Sequence, residues 1–155
     1  PRLGGGSLTF TPQDDAAATY CRKLRKEDGR LDFSASADVL AARINGLFPW
    51  PACAVEINGE LVKLGLADPV ASPGFAGVPP ATNERSPPEA PAPGKILGAD
   101  PDGLLVANGR GVLRLRKLQR PGGRMLSAAE FLRGFSIETG TQLPSHPMSQ
   151  LVTTR

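Results

Sequence analysis

Apolar positions between residues 34 and 48 recur at the spacing of one face of an α-helix. The stripe consists of Val39, Leu40, Ile44 and Leu47. Such periodicity is the primary signal of an amphipathic helix. Ser34 or Ser36 can cap the beginning of the helix with its hydroxyl oxygen. The helix ends before Pro49, because the residue that precedes a proline avoids the α region.

Downstream of this helix the apolar residues fall in short runs that are typical of strands. Residues 54–57 and 60–67 flank Asn58-Gly59, and this pair supplies the two positive φ angles of a type I′ turn. The sequence therefore predicts a β-hairpin here. Further short runs, separated by turn residues, predict three more strands at 95–99, 104–107 and 112–119.

A second, shorter helix is predicted near the C-terminal end. Ser127 caps it, and it runs to about Arg133, where Gly134 supplies the stop signal. The pattern thus gives five to six strands, with one helix before them and a short helix at the C-terminal end. Together with 18 Gly and 16 Pro, it predicts a mainly β fold, a small barrel. The pattern alone leaves OB-type and SH3-like barrels open.

The segments outside this core differ from it in composition. Residues 1–15 contain a Gly-Gly-Gly-Ser run and are predicted to be an interdomain linker. Residues 68–93 hold eight prolines and little large apolar surface, which predicts a long proline-rich loop. Residues 144–155 are predicted to be a flexible tail, which leaves 16–143 as the folded domain. The chain begins without a Met, and we expect it to be a piece of a longer protein.

Composition also argues against several classes of protein. Cys21 and Cys53 are the only cysteines, too few for the disulfide framework of a small secreted domain. No CxxC pair accompanies them, so we expect two reduced thiols, no metal site and a cytoplasmic protein. No apolar run approaches the roughly 18 residues of a membrane span, and no membrane partner is expected.

No catalytic residue is predicted in this chain. A general base must lie within hydrogen-bond reach of the proton that it takes. The single histidine, His146, lies between Ser145 and Pro147 in the predicted tail, without an acid nearby in sequence. No Walker-type phosphate loop occurs either. A binding function remains.

Positive charge is unevenly distributed, although the net charge is only +3. Residues 103–129 contain six cations and no acid. Within them, Arg114 and Arg116 project to one side of a strand, about 6.8 Å apart at roughly 3.4 Å per residue. Such a pair suits neighbouring phosphates. A second cationic cluster lies within residues 22–30. The candidate binding residues are Lys23, Arg25, Lys26, Arg43, Lys63, Arg114, Arg116, Lys117, Arg120 and Arg124.

Five segments form a recognisable series. They are Ala18-Thr19-Tyr20-Cys21 with Lys26-Glu27-Asp28-Gly29-Arg30, Pro49-Trp50-Pro51, Leu61-Val62-Lys63-Leu64, Pro93-Gly94-Lys95-Ile96-Leu97, and Leu118-Gln119 with Met125-Leu126-Ser127-Ala128-Ala129-Glu130-Phe131. In order and spacing, across residues 14–143, the series resembles the C-terminal domain of methionyl-tRNA formyltransferases. The chain departs from that family at Phe33, where Trp is usual, and at Gly123-Arg124, which replaces a lysine-rich turn.

The resemblance implies a fold and a function. Enzymes of this family transfer a formyl group from 10-formyltetrahydrofolate to the amino group of methionine on initiator tRNA. Their catalytic residues lie in an N-terminal domain, and the C-terminal OB-like barrel holds the tRNA. By this resemblance the chain is a tRNA-binding domain without a cofactor of its own. Its expected partners are initiator methionyl-tRNA and the missing catalytic domain, within a monomeric enzyme.

Two alternatives stay open at this point. One is the C-terminal domain of a related formyltransferase that acts on an amino-sugar nucleotide; the cationic strand favours tRNA, because a small acceptor needs no such stripe. The other is a stand-alone OB-type RNA-binding module. Single-strand binding normally uses exposed aromatic side chains. The large aromatic side chains are instead predicted to lie in the core, namely Phe33, Phe48, Trp50 and Phe131.

Overall fold

The computed structural model describes residues 2–3, 6–7, 11–14, 18–70 and 91–154. Its strands are β1 (Arg2–Leu3), β2 (Gly6–Ser7), β3 (Thr19–Cys21), β4 (Cys53–Ile57), β5 (Glu60–Val70), β6 (Ile96–Asp100), β7 (Gly103–Ala107), β8 (Val112–Gln119), β9 (Leu126–Ser127) and β10 (Val152–Thr154). The helices are α1 (Ala37–Leu47) and α2 (Ala128–Gly134), and a 3₁₀ turn spans Lys26–Gly29. The predicted mainly β class is confirmed, with one helix before the main strands and a short one after them.

The main sheet is antiparallel and has the strand order β4-β5-β8-β7-β6, with β9 also paired to β8. The β4–β5 turn is formed as predicted, since Asn58 and Gly59 have φ angles of 51° and 79°. Residues 139–143 lie along the free edge of β6, where the amide of Ile96 donates to the carbonyl of Thr141. Thr141, Gln142 and Leu143 also line a cleft of about 310 Å³ together with Glu56 of β4, so the C-terminal segment lies between the two edge strands.

Helix α1 packs on β5 and supplies much of the core. Ser36 caps it, and the Ser36 hydroxyl accepts from the amide of Val39. Its buried residues are Ala37, Leu40, Ala41, Ile44 and Leu47. Leu40, Ala41, Ile44 and Leu47 form one hydrophobic cluster with Val62 and Leu64 of β5. At the other end, Ser127 and Glu130 form a reciprocal capping box that begins α2.

The β5–β8 ladder contains two register shifts, between Leu64 and Leu66 and between Leu66 and Ala67. The side chain of Asn45 in α1 forms two hydrogen bonds with the backbone at the second shift. It accepts from the amide of Ala67 at 2.9 Å and donates to the Ala67 carbonyl at 2.8 Å. On β8 the irregularity leaves both Arg116 and Lys117 exposed in succession. Lys117 therefore reaches solvent.

Strand β5 is three residues longer than predicted, because Asp68, Pro69 and Val70 continue it. A proline inside a strand usually argues against the assignment, since it removes a ladder donor. Here residues 66–70 pair only with β8 among the described strands, so Pro69 occupies an edge position where the donor is dispensable. The part of the predicted loop from 71 to 90 lies outside the described residues.

Residues 144–154 belong to the segment predicted to be a flexible tail, and in the structure they make defined contacts with the domain. The Ser145 hydroxyl accepts from the amide of Phe33 at 2.9 Å, and the His146 amide donates to the carbonyl of Leu31 at 2.8 Å. Strand β10 pairs with β3, which places it beside the beginning of the predicted domain. Met148 and Leu151 of the same segment pack, partly buried, against the hydrophobic core.

Two aromatic side chains predicted in the core lie instead at the surface. Trp50 is 57% exposed and Phe48 is 41% exposed, whereas Phe33 and Phe131 are buried as expected. The chain turns at the end of α1, and the small residues Ala52 and Cys53, both buried, take the core positions beyond the turn. The two large side chains of the corner therefore remain outside. Neither helix, among the residues described, has the length and apolarity needed to cross a membrane.

Candidate nucleic-acid interface

The arginines of β8 are paired within the domain. Arg114 contacts Asp100 through Nη2 at 2.7 Å and Asp68 through Nη1 at 3.3 Å. Arg116 lies 3.7 Å from carboxylate oxygens of both Asp68 and Asp102. The acids come from β5 and from the β6–β7 hairpin, so the acid-free stretch of sequence is not acid-free in space. Two arginines and three aspartates give this cluster a net charge of −1.

The contact with Arg114 helps to hold Asp100 in its charged form. Burial alone would raise the pKa of Asp100, but hydrogen bonds from Arg114 and from the amides of Asp102 and Gly103 lower that pKa overall. The side chain of Arg114 is only 21% exposed. A phosphate that approached it would therefore compete with carboxylates that are already in place.

Arg120 also makes contacts within the domain, with Glu60 and Phe135. Its Nε lies 2.8 Å from a carboxylate oxygen of Glu60, and its guanidinium lies 5.1 Å from the centroid of the Phe135 ring. The hydrogen bond from Arg120 lowers the pKa of Glu60. Arg120 thus joins β5 to the segment after α2.

A third group of contacts is organised around Asp28, which is 1% exposed. Its carboxylate accepts from Arg22 at 2.8 Å, from the Ser149 hydroxyl at 2.6 Å and from the amide of Arg25 at 2.7 Å. These donors, led by Arg22, hold the pKa of Asp28 well below its usual range. Arg43 donates nearby to the carbonyls of Asp28 and Ser149. Among the predicted binding residues, Arg43 is therefore occupied by internal contacts.

The remaining predicted cations are more available. Lys23, Arg25 and Lys26 are exposed on and just before the 3₁₀ turn, and Lys63 is half-buried on β5. Lys117 on β8 and Arg124 in the turn before β9 are exposed as well. The part of this set that converges in space comes from the 3₁₀ turn and β5.

The convergence occurs at a groove of about 500 Å³, called here the Trp50 groove. Its lining includes Lys26, Arg30, Trp50, Leu61 and Lys63, with Glu27 as the acid. A second groove of about 350 Å³ shares Leu61 and Lys63 and extends to Gln119 and Arg120. The two grooves form one continuous surface, because they have two residues in common.

Sequence reasoning identified Lys26, Lys63 and Arg120 on this surface, but it missed three further lining residues. Arg30 belongs to the basic cluster that contains Lys26, and that was the available signal. Trp50 was predicted to lie in the core. Leu61 alternates with the buried Val62 along β5 and is 61% exposed, so its position on the strand indicates the outer face.

The single histidine and the two cysteines do not line the two grooves described above. His146 is exposed on the C-terminal segment. Among the residues that the structure describes, no group of three or more His, Cys, Asp or Glu side chains is arranged to hold a metal ion. Cys21 and Cys53 are both free thiols, the first exposed and the second buried.

Comparison with known proteins places these features in a family. Residues 23–136 match the family model described as formyl transferase, C-terminal domain. A methionyl-tRNA formyltransferase of Janthinobacterium sp. (strain Marseille) is 41% identical over 138 residues, which cover 88% of this chain and 39% of that protein. One of Burkholderia vietnamiensis (strain G4 / LMG 22486) is 38% identical over 135 residues, covering 87% and 37%. The chain thus spans under two fifths of the length of these curated relatives.

Among solved structures, a variant of HypX from Aquifex aeolicus aligns with a TM-score of 0.51 and 16% identity, over 76% of this chain and 19% of that one. HypX from the same organism in complex with tetrahydrofolic acid gives a TM-score of 0.50 and 17% identity, over 86% of this chain and 22% of that one. At this identity the likeness supports the fold alone.

Proposed function

Because this chain belongs to the family of formyl transferase C-terminal domains, we propose that it is the tRNA-binding part of a methionyl-tRNA formyltransferase. In this proposal the whole enzyme is a cytoplasmic monomer. It carries a formyl group from 10-formyltetrahydrofolate to the amino group of methionine on initiator tRNA. The catalytic residues lie on an N-terminal domain, and the chain described here contributes affinity and orientation.

The observation that carries the proposal is the set of cations at the 3₁₀ turn and on β5. Lys26, Arg30 and Lys63 line one groove in which Glu27 is the acid. Lys23 and Arg25 are exposed immediately before the turn. Lys and Arg side chains at such a surface neutralise phosphates and release the counterions that surround a nucleic acid. The β8 arginines are a weaker candidate, because Asp68, Asp100 and Asp102 already match their charge.

The turn that carries these cations is rigidly placed. Gly29 packs so closely on the corner after α1 that an added Cβ would lie 2.1 Å from the carbonyl oxygen of Ala52. The carboxylate of buried Asp28 accepts hydrogen bonds from three residues within the same region. A fixed array of phosphate contacts sets the register of a nucleic acid without reading its sequence. We assign that role to Lys23, Arg25 and Lys26 toward the acceptor stem, because they follow the segment that would lead to the catalytic domain.

A charge-matched pair of variants tests the proposal on the 155-residue chain. The test variant is K26Q/K63Q, and the control is K95Q/R133Q, which removes two exposed cations elsewhere. Binding of initiator tRNA is measured from about 50 to 200 mM salt, with duplex DNA as competitor. We expect K26Q/K63Q to weaken tRNA binding and to reduce the slope of log affinity against log salt by up to about 2. The affinity and the slope of the control variant should stay close to those of the parent chain.

Two results would contradict the proposal. If both double variants lost affinity equally, the binding surface would not be the one formed by the 3₁₀ turn and β5. If the parent chain bound no tRNA even at low salt, the cations would be a solvated face. The alternative with an amino-sugar nucleotide as acceptor would then be the better account of the family resemblance.

A further inference from the structure

Trp50 is the single tryptophan of the chain, and more than half of its surface is in contact with solvent. It is 57% exposed, and the neighbouring groove residue Leu61 is 61% exposed. Scattered exposed apolar residues need no explanation, but two large ones that share a groove mark an interaction site. The proposed phosphate contacts of the domain do not use either side chain.

The surroundings of Trp50 indicate which chemistry fits the groove. Lys26, Arg30 and Lys63 line it together with the indole, against Glu27. An aromatic platform bordered by cations is the arrangement that binds unpaired nucleotides, since the bases stack and the phosphates meet positive charge. A protein partner fits less well, because the cores of protein–protein interfaces are depleted of charged residues such as Lys and Glu.

The walls of the groove are fixed before any ligand arrives. On one side, the 3₁₀ turn is held by Asp28 and by the close contact of Gly29 with Ala52. On the other side, Leu61 and Lys63 belong to β5, which is paired with β4 through Ala54 and Lys63. A preformed site loses little conformational entropy on binding, which favours a specific contact.

We propose that the Trp50 groove binds an unpaired nucleotide of RNA, with the base stacked on the indole and the flanking phosphates on Lys26, Arg30 and Lys63. The inference rests on the proposed function and extends it. The domain recognises a single-stranded element of the tRNA in addition to its backbone. It therefore prefers RNA with an unpaired segment over a perfect duplex.

Trp50 fluorescence provides the first readout, since the chain has no other tryptophan. A short single-stranded RNA and a duplex RNA of equal length are titrated into the chain, followed by initiator tRNA. We expect the single strand and the tRNA to quench Trp50 fluorescence and the duplex to leave it nearly unchanged, because stacked indole and base interact directly.

Substitution separates stacking from charge. W50L is expected to weaken single-strand and tRNA binding on the order of tenfold, and W50F to recover much of the loss. The salt slope of W50L should match that of the parent chain, because no phosphate contact has been removed. The matched control is F48L, which removes an aromatic side chain that is also exposed and lies two residues away.

The outcomes distinguish this inference from the proposed function. If tRNA binds with the expected salt dependence but W50L binds as tightly as F48L and the indole is not quenched, stacking on Trp50 is refuted and the phosphate contacts stand. If K26Q/K63Q also has no effect, the proposed tRNA surface fails as well. Equal quenching by duplex and single strand would likewise overturn the stacking proposal.

Discussion

The guanidinium of Arg114 on β8 lies 2.7 Å from a carboxylate oxygen of Asp100 at the end of β6, although β7 lies between these two strands. The crossing is possible because β7 begins with Gly103. A Cβ at Gly103 would lie 2.5 Å from Cγ of Arg114 and 2.8 Å from the carbonyl oxygen of Leu115. The missing side chain thus permits the ion pair that removes Arg114 from the cationic surface.

Gly103→Ala is therefore expected to destabilise the domain by about 1–3 kcal/mol, the usual range for overpacking. The added methyl group meets backbone at Leu115, which cannot move aside as a flexible side chain would. Urea unfolding followed by circular dichroism measures the change.

Gly46→Ala is the matched control for that substitution. Gly46 lies in α1, and an added Cβ there would meet nothing within 4 Å. The control should stabilise the domain by about 0.5–1 kcal/mol, because alanine restricts the unfolded chain more than glycine does. If both variants were destabilised alike, the close approach at Gly103 would not be the cause.

Asp28→Asn is expected to lower the thermal stability of the domain in a pH-dependent way. The pKa of Asp28 is depressed in the folded state, mainly by its hydrogen bond from Arg22 and then by that from Ser149. The ionised Asp28 carboxylate therefore contributes its full stabilisation of the fold above the unfolded-state pKa of about 4. This stabilisation is lost as the pH falls toward the lower folded-state pKa. Calorimetry should show a constant difference in melting temperature between the variant and the parent chain near neutral pH.

Below about pH 4 that gap should narrow, because the parent carboxylate is then being protonated in the unfolded state. Glu27→Gln serves as control, since Glu27 lies in the same turn but is exposed. A gap that stayed constant down to the most acidic point measured would show that the ion pair with Arg22 is not the source of stability.

The two thiols should differ in reactivity toward an alkylating reagent. Burial raises the pKa of Cys53 to about 11, an increase that the nearby charge of Arg43 partly offsets. The thiolate is the reactive form, so Cys53 should remain unmodified in the folded chain and react only after denaturation. Cys21 is exposed and should react in the folded chain. Mass spectrometry counts the adducts, and C21S should show none before unfolding.

Removal of residues 148–155 should release the segment around β3. This deletion takes away β10, the partner of β3, and the Ser149 hydroxyl that donates to Asp28. Trypsin should then cleave after Arg22 or Lys23 at least about fivefold faster, because local opening governs proteolysis of a folded chain.

Point variants refine that experiment. Ser149→Ala should give part of the increase in cleavage, and Gln150→Ala, at an exposed neighbouring position, should give none. Unchanged cleavage in the truncated chain would show that the C-terminal strand does not protect this region.

Asn45→Ala should destabilise the domain by about 1–3 kcal/mol, because it leaves the buried amide and carbonyl of Ala67 without partners. The stability of Asn45→Asp should fall between that of the parent chain and that of Asn45→Ala. Its carboxylate still accepts from the Ala67 amide but cannot donate to the Ala67 carbonyl. Chemical denaturation again provides the measurement. A neutral Asn45→Ala variant would mean that water replaces the side chain without loss.

The order of the elements was predictable from the sequence because local rules govern it. Ser36 begins α1, Asn58-Gly59 turns the first hairpin and Ser127 begins α2, all as predicted. Each of these depends on residues only a few positions apart, through capping or positive φ angles. The ordered series of motifs identified the family for the same reason, since it needs no knowledge of contacts between distant residues.

The tertiary structure alone decided which of the predicted charges are available. Residues 103–129 carry no acid, yet Asp68 and Asp100 reach Arg114 from two other strands. Whether a charge is paired depends on strand order and on the gap at Gly103, and neither can be obtained from one-dimensional spacing. Trp50 was misassigned for a related reason: size favours burial on average, but the path of the chain after α1 determines which residues enter the core. The anchoring of the C-terminal segment likewise depends on contacts between residues far apart in sequence, among them hydrogen bonds across more than 100 positions, and the periodicity of the sequence does not contain that information.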